Sequence, residues 1–262
     1  MRYLFLFIFF NLFFQTFGQV EIEKIINIEA DNIYSDNFDN LYVLSENVFI
    51  KYNKEGKKTA SFFPETGEEI TGADVRNPFK IILFFSNRNK IILLDNKLIQ
   101  ISEDLYLDKV DVFGDALISG ATIGGFWIYD KINSQLLKLK PNFSIEYKKD
   151  MNFSEEIISI TDNASNVLFQ KSTREYISYN INNGNIENLL IYKTSDSYRF
   201  INNEIVFYSG NIHGLSFYNW NTGKYRYIKF PSNITVTNAV YGKTKAFFFD
   251  KSKVYISTIK EN

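Results

Sequence analysis

Residues Ile81–Asp95 read IILFFSNRNKIILLD, and this stretch decides the fold. Two apolar runs flank the polar segment Ser86–Lys90, which has room only for a tight reversal of the chain. Ile, Leu and Phe suit the pleated, buried surface of a β-strand, whereas Ser, Asn and Arg suit a turn at solvent. The stretch therefore predicts a β-hairpin.

The same hairpin pattern recurs along the chain. The six stretches are Leu41–Asn53, Ile81–Asp95, Ala116–Asp130, Asn166–Asn180, Ile205–Asn219 and Ala246–Ile259. The first five end on an apolar residue followed by Asn or Asp, at intervals of 42, 35, 50 and 39 residues. A repeat of this length indicates an array of identical structural units.

Strand-like segments also flank the hairpins. Those that follow are Lys57–Phe63, Lys97–Ser102, Gln135–Lys140, Asn185–Ile191 and Tyr225–Phe230. Those that precede are Asn32–Ser35, Ile70–Val75, Val110–Phe113, Glu156–Ile160, Tyr198–Ile201 and Thr235–Val240. Four strands in about 40 residues is the pattern of a propeller blade. The sequence therefore predicts an all-β fold, a six-bladed β-propeller of four-stranded blades.

The sixth unit has only three predicted strands. The segment Glu21–Glu29 (EIEKIINIE) precedes the first unit and belongs to none of them. We expect it to complete the last blade, because this closes the ring and removes an exposed sheet edge.

Two other architectures compete with six blades. A seven-bladed ring needs another hairpin between Asp130 and Asn180, where the polar segment Phe143–Phe153 has the character of a long loop. A β-sandwich also has short strands and polar turns, but the length and regular period disfavour it.

The N-terminus predicts a secretory signal peptide over residues 1–18. Arg2 is its only charge, Leu4–Phe14 is almost wholly apolar, and Gly18 precedes the polar Gln19. The apolar run is too short for a bilayer-spanning helix, although an uncleaved anchor is the alternative. Cleavage between Gly18 and Gln19 leaves residues 19–262 as a single domain without a transmembrane segment. We expect a periplasmic or outer-membrane-associated protein.

Composition excludes several chemistries. The chain has no Cys and one His, so it has no disulfide, no cysteine nucleophile and no multi-histidine metal site. The formal net charge of −1 gives no basic footprint for nucleic acid. We expect no cofactor, no bound metal and no catalytic residue.

The most distinctive candidate site is the loop before the strand of Ile81. Asp74, Arg76, Asn77 and Pro78 lie there, and binding residues concentrate on such loops. Arg76 could anchor a carboxylate of a partner with two hydrogen bonds. Alternatively, Pro78 stiffens the loop and Asp74 pairs with Arg76.

Three further residues are candidates on their chemistry. Trp127 and Trp220 are possible surface aromatics of an interaction face. His213 is a weak candidate, because a lone His in a turn is usually solvated or hydrogen-bonded. The segment SDNFDN at Ser35–Asn40 has oxygen ligands that calcium accepts, but it lacks the Gly and distal Glu of an EF-hand loop, so a turn is the simpler interpretation.

The segment from Asn40 to Lys140 resembles a family of short secreted propeller-like proteins from Bacteroidota. The pieces that carry the resemblance are Asn40-Leu41-Tyr42 with Lys51-Tyr52, Asn77-Pro78-Phe79-Lys80-Ile81 with Phe84, Leu94-Asp95-Asn96 with Leu98, and Trp127-Ile128-Tyr129-Asp130 with Gln135-Leu136. The resemblance implies an envelope protein without enzymatic motifs. It also suggests an accessory part of an outer-membrane machine such as the type IX secretion system.

We therefore expect a non-enzymatic binding or scaffold module whose partner is another protein. The alternative is a small-ligand or carbohydrate binder, or a hydrolase, that uses the central channel of the ring. Acidic or amide side chains converging at one channel mouth would favour the alternative, and a channel plugged by Phe, Ile and Tyr would exclude it.

Overall fold

The computed structural model describes residues 17–120, 124–189, 191, 197–201, 204–210 and 213–260. Apart from single 3-10 turns at Ser86–Arg88 and Leu107–Val110, the regular structure of these residues is β-strand. No helix in this part of the chain has the length and apolarity needed to cross a bilayer. Most of the predicted signal peptide lies outside the described residues.

The strands form groups of four, each group antiparallel and mostly consecutive in the chain. The first three groups are β2 Asn32–Ser35, β3 Leu41–Ser45, β4 Val48–Tyr52 and β5 Lys58–Phe62; β6 Gly72–Asp74, β7 Ile81–Phe85, β8 Lys90–Leu94 and β9 Leu105–Tyr106; β10 Ala116–Ser119, β11 Phe126–Asp130, β12 Gln135–Leu139 and β13 Ile145–Asp150. The next two are β14 Ile157–Asp162, β15 Asn166–Lys171, β16 Tyr176–Asn180 and β17 Ile186–Leu189; β18 Ser197–Ile201, β19 Glu204–Ser209, β20 Gly214–Asn219 and β21 Lys224–Lys229.

The last group combines the two ends of the described chain. It consists of β22 Asn238–Tyr241, β23 Lys245–Phe249, β24 Lys253–Lys260 and β1 Phe17–Asn27. β1 runs antiparallel to β24, from the pair Gln19 and Lys260 to the pair Asn27 and Lys253. The placement of the N-terminal segment beside the last group is thus confirmed, but the strand spans Phe17–Asn27 instead of Glu21–Glu29 and begins within the predicted signal peptide. The first three residues of β1 also pair with β21, which joins the last two groups into one eight-stranded sheet.

The core is divided among neighbouring groups. In the described residues, hydrophobic clusters join each group to the next, as when Tyr42 and Phe49 pack with Leu83. A further cluster joins the last group to the first through Phe247 and Leu41. Burial of each aromatic side chain stabilises the folded protein by roughly 1.5–3 kcal/mol relative to leaving it exposed to water. The many Phe and Tyr residues of the sequence therefore hold group against group, in a propeller-like arrangement.

The third group corrects the strand assignment made from sequence. The stretch Ala116–Asp130 forms the first two strands of its group, whereas the corresponding stretches elsewhere form the second and third. Val110–Phe113 is not a strand, because Val110 ends the 3-10 turn and Asp111 after it has a left-handed backbone conformation. The expected loop Phe143–Phe153 contains β13, which is the outermost strand. Its polar sequence IEYKKD reflects an edge position in which most side chains are exposed.

With this correction the repeat becomes more regular. The third strand of each group ends at Tyr52, Leu94, Leu139, Asn180, Asn219 and Lys260. The intervals are 42, 45, 41, 39 and 41 residues. A second difference is the outer strand of the second group, which is β9 rather than Lys97–Ser102; Gln100 of that segment makes only an isolated bridge to Leu94.

Candidate functional site

The first strands of the groups surround a central cavity of about 810 Å³, which we call the channel. β2, β6, β10, β14, β18 and β22 all contribute residues to its lining. Alternate side chains of a strand point to the same side, so the first strands direct side chains from distant parts of the sequence into the channel. Ser86 and Arg174, from two of the turns that join the second and third strands, also line the channel.

Arg76 forms hydrogen bonds with residues at the ends of three first strands, β6, β10 and β14. Its Nε donates to both carboxylate oxygens of Asp74 at 3.0 and 3.2 Å. Nη1 donates to Thr161 Oγ1 at 2.6 Å and to the Asp162 carbonyl oxygen at 2.7 Å. Nη2 donates to Asp74 at 2.5 Å, Ser119 Oγ at 2.6 Å and Asp162 Oδ1 at 2.8 Å. We call these five residues the Arg76 cluster; it ties together the second, third and fourth groups.

The charges of the Arg76 cluster fix its protonation. Burial favours the neutral form of Asp74, but the positive charge and hydrogen bonds of Arg76 outweigh it and lower the pKa of Asp74 to about 2. Burial likewise opposes the charged form of Arg76, and the two carboxylates reverse this and raise its pKa. Arg76 is only 8% exposed, so its charge is used to hold the second, third and fourth groups together.

A second arginine, Arg199 of β18, lies in the same channel. Its Nη1 donates to the Ser35 carbonyl oxygen at 2.6 Å and to Ser35 Oγ at 2.9 Å. Its Nη2 donates to Asn37 Oδ1 at 3.1 Å. Burial, and then repulsion by Arg76, lower the pKa of Arg199 to about 10. Arg199 therefore remains a cation at neutral pH and joins the fifth group to the first.

The four residues of the predicted partner-binding loop are buried or half-buried. Asp74 and Arg76 bind each other inside the channel, so the Arg76 guanidinium is not available to a partner carboxylate. Asn77 Oδ1 accepts from the amide of Phe79 at 3.1 Å, and Pro78 beside it is buried. The alternative in which Asp74 pairs with Arg76 is the one that the structure contains.

The two tryptophans are not exposed surface aromatics. Trp127 is 2% exposed and packs between the third and fourth groups, with the ring of Tyr147 edge-on at 6.0 Å between centroids. Trp220 is half-buried and meets the ring of Phe200 edge-on at 5.2 Å. The strand position of Trp127 explains the error, because a large ring on a central strand is buried by the neighbouring group.

His213 has a structural environment in the described part of the chain. It adopts a left-handed backbone conformation with φ of 49° in the turn before β20. Its Nε2 lies 2.9 Å from the Pro231 carbonyl oxygen, and its own carbonyl oxygen accepts from the Phe230 amide at 3.0 Å. These contacts stabilise the turn. Both involve backbone groups, and neither places a nucleophilic side chain beside the imidazole.

The oxygen-rich segment Ser35–Asn40 forms turns, and its carboxylates are occupied by protein donors. Asp36 Oδ1 accepts from the amide of Phe38 at 2.8 Å and from that of Asn40 at 3.0 Å. Asp39 accepts from the amides of Lys243, Thr244 and Lys245. Asp39 thus connects the first group to the last. Across the residues described, no cluster of three or more His, Cys, Asp or Glu side chains could hold a metal ion.

Sequence reasoning missed several residues of the Arg76 cluster and of the channel. Ser119, Asp162 and Arg199 carry no motif, and their partners are 43 to 164 residues away in the chain. It also missed an exposed aromatic pair, Phe38 and Phe79, whose rings meet edge-on at 6.0 Å. These rings are 58% and 64% exposed, and a Phe in a polar turn was the only available signal.

No protein-family model and no curated protein matches the sequence. Solved structures do match in fold. The β-propeller domain of Cps50 (Swd1) from Myceliophteria thermophila aligns over 92% of this chain and all of its own, with a TM-score of 0.63 and 9% identity. Virginiamycin B lyase from Staphylococcus aureus aligns over 90% of this chain and 99% of its own, with a TM-score of 0.61 and 11% identity.

A third similar structure is a component of a complex. The BBS1 N-terminal region, solved bound to ARL6, aligns over 87% of this chain and 77% of its own, with a TM-score of 0.52 and 12% identity. Identities this low show the fold alone. The chain has an all-β, propeller-like fold built from sheets of four antiparallel strands. One of the similar structures was solved in a protein complex and another is an enzyme, so the fold does not determine the function.

Proposed function

We propose that this protein is a non-enzymatic β-propeller that binds a protein partner as a scaffold in the periplasm. The observation that carries the proposal is the exposed pair of Phe38 and Phe79. Aromatic side chains are enriched among the residues that contribute most of the binding energy at protein interfaces. In the isolated chain the rings of Phe38 and Phe79 are in contact with water, which is unfavourable for apolar surface. The fold supports the proposal, since the BBS1 region that resembles this chain was solved in complex with another protein.

The propeller we propose has six blades, one for each group of strands. Two features support this count. The third strands of the groups recur at intervals of 39 to 45 residues. The last group packs on the first through Phe247 and Leu41, as neighbouring blades of a closed ring do.

The proposed location is the periplasmic side of the outer membrane, after removal of residues 1–18. Cleavage between Gly18 and Gln19 is compatible with the sheet, because the pairing of Gln19–Asn27 with β24 is retained. The partner we propose is a component of an outer-membrane complex, such as the type IX secretion translocon of Bacteroidota. This follows from the sequence resemblance over Asn40 to Lys140.

Gentle crosslinking and affinity purification from the native host test the proposal. We expect the tagged protein to co-purify with an outer-membrane complex, and the double substitution Phe38→Ser, Phe79→Ser to reduce the recovered partner at least tenfold. Phe63→Ser is the matched control, because Phe63 is 66% exposed and lies outside the aromatic pair. Recovery of the parent protein only as a monomer, or an equal loss with Phe63→Ser, would contradict the proposal.

A second candidate function is small-ligand binding in the channel. The observation that favours it is the open cavity of about 810 Å³, which Phe, Ile and Tyr side chains line without filling. Cavities of this size hold small molecules in many proteins. Two carboxylates line the channel, but Asp74 binds Arg76 and Asp115 binds Lys131, so they are not arranged as a catalytic acid and base.

A further inference from the structure

The charges that line the channel are unequally compensated. Arg76 lies between two carboxylates of its own cluster, and Asp115 lies 2.7 Å from Lys131 Nζ. Arg199 and Arg174 line the same cavity. Among the described residues, neither of these two arginines lies within ion-pair distance of a carboxylate. The channel thus has two cations for which the described part of the chain supplies no direct counter-charge.

Arg199 also has donors without an acceptor. Three of its five N–H groups are used by Ser35 and Asn37. Its Nε is buried and has no hydrogen-bond partner among the described residues. Nε lies on the same edge of the planar guanidinium as Nη2, and this is the edge through which an arginine binds a carboxylate or phosphate with two parallel hydrogen bonds.

The carboxylates that attract Arg199 through space are committed elsewhere. Asp74, Asp36 and Asp39 attract it, but none of them accepts a hydrogen bond from it, and Asp74 binds Arg76. Asp36 Oδ2 accepts from Tyr42 Oη at 2.9 Å, and Asp39 Oδ2 accepts from Thr244 Oγ1 at 2.7 Å. A cation removed from water without a paired anion is costly to the folded protein, and such groups concentrate at binding sites.

We propose that the channel binds a small organic anion, a carboxylate or a phosphate ester, whose acidic group is held by Arg199. The apolar part of the ligand lies against the walls, where Tyr34, Tyr198 and Val240 line the cavity and Ile158 is 42% exposed. The proposal rests on the channel-binding candidate and is independent of the scaffold role. Arg174 supplies a second positive charge to the same cavity.

Isothermal titration of the processed chain, residues 19–262, with three probes tests this site. Benzoate and phenyl phosphate supply the two acidic groups, and benzamide is the neutral isostere of benzoate. We expect at least one anion to bind with a Kd below about 10 mM and at least tenfold more tightly than benzamide. Arg199→Gln should weaken the anion at least tenfold, and Arg199→Lys should weaken it less, because a lysine retains the charge but not the bidentate edge.

Two further variants keep the test decisive. Arg226→Gln is the control, since Arg226 pairs with Glu204 outside the channel, and it should bind the probes as the parent does. Val240→Phe narrows the channel and retains Arg199, and it should block the anion even if Arg199→Gln fails to fold. Benzamide binding as well as benzoate, with both blocked by Val240→Phe, would overturn the anion proposal and leave the channel candidate standing. Absence of binding by any probe, or anion binding retained in both variants, would overturn both.

Discussion

Arg76 is the buried cation on which the polar contacts of three groups converge. Replacing it by Gln leaves Asp74 and Asp162 facing each other in a site removed from water, without the charge that they share. Removing one partner of a buried ion pair costs about 3–5 kcal/mol. We expect the free energy of unfolding of Arg76→Gln to fall by that amount, as measured by urea denaturation.

The control for this substitution is an exposed ion pair. Lys260 lies 2.7 Å from Glu21, and both side chains are more than half exposed. Water and salt screen such a pair, so Lys260→Gln should change the free energy of unfolding by less than about 1 kcal/mol. Similar losses in the two variants would show that the Arg76 cluster does not hold the groups together.

Asp74 gives the stability of the protein a dependence on pH. Its pKa of about 2 in the folded state lies below the ordinary value of 3.8, because the charge of Arg76 outweighs the effect of burial. As pH falls, the unfolded chain takes up this proton first. The stabilisation is therefore complete above pH 4 and is lost between about pH 4 and pH 2, with a magnitude of about 2 kcal/mol.

Urea denaturation of the parent and of Asp74→Asn across this range measures the effect. The difference in unfolding free energy between the two proteins should be largest above pH 4 and should narrow toward pH 2. A difference that is constant with pH would mean that the carboxylate of Asp74 has the same proton affinity in the folded and unfolded chains.

The Asp74–Arg76 pair could be foreseen from sequence, but its remaining partners could not. The two residues are two positions apart, and a short loop brings such neighbours together. Ser119 and Asp162 are 43 and 86 residues from Arg76, at the ends of strands in other groups. A single Ser or Asp at a strand end has many local uses, so only the closed arrangement of the groups reveals this one.

At the level of single elements, β1 has one face that packs against the core and one face that is exposed to solvent. Ile26 packs against the cluster between the last and first groups, whereas its neighbour Ile25 is 45% exposed. Adjacent residues of a strand point to opposite faces. We expect Ile26→Asp to lower the unfolding free energy by roughly 2–4 kcal/mol, since it places a charge in an apolar contact. Ile25→Asp should change it by less than about 1 kcal/mol.

Thermal denaturation and size-exclusion chromatography of both variants measure this difference. A weakened β1 also leaves the edge of β24 open, so Ile26→Asp should associate more readily than the parent. Equal behaviour of the two variants would contradict the docking of β1 on the last group.

The elements of the third group show what strand patterns can and cannot predict. β10 and β11 have the same apolar, turn, apolar form as a central hairpin, so their position within the group is ambiguous from sequence. The outer strand β13 carries Glu146, Lys148 and Lys149, because edge strands face solvent. The polar sequence of β13 therefore led to the prediction of a loop, although the segment is a strand. The central strands β7 and β8, which are mainly apolar, were predictable for the opposite reason.

At the scale of the whole molecule, the two ends of the described chain are held together by both apolar and polar contacts. β1 lies beside β24, and Phe247 packs with Leu41. Asp39 of the first group accepts hydrogen bonds from the turn that connects β22 to β23. Contacts between residues more than 200 positions apart should therefore form late in folding, because their loop-closure entropy is paid only once the intervening groups exist.

This closure makes a circular permutant a direct test of the architecture. Gln19 and Lys260 are paired across β1 and β24, so an Asn-Gly linker can join them as a two-residue hairpin. New termini between Pro141 and Asn142 fall in the exposed turn before β13. We expect the permutant to be monomeric and to unfold in one transition, with a Tm within about 5 °C of the processed chain, because the strand pairings of residues 19–260 are retained. The same permutant without residues 19–27 separates the need for β1 from the effect of new termini, and it should be less stable or associate. A full permutant that is insoluble, or a shortened one that is as stable as the parent, would show that β1 does not close the molecule.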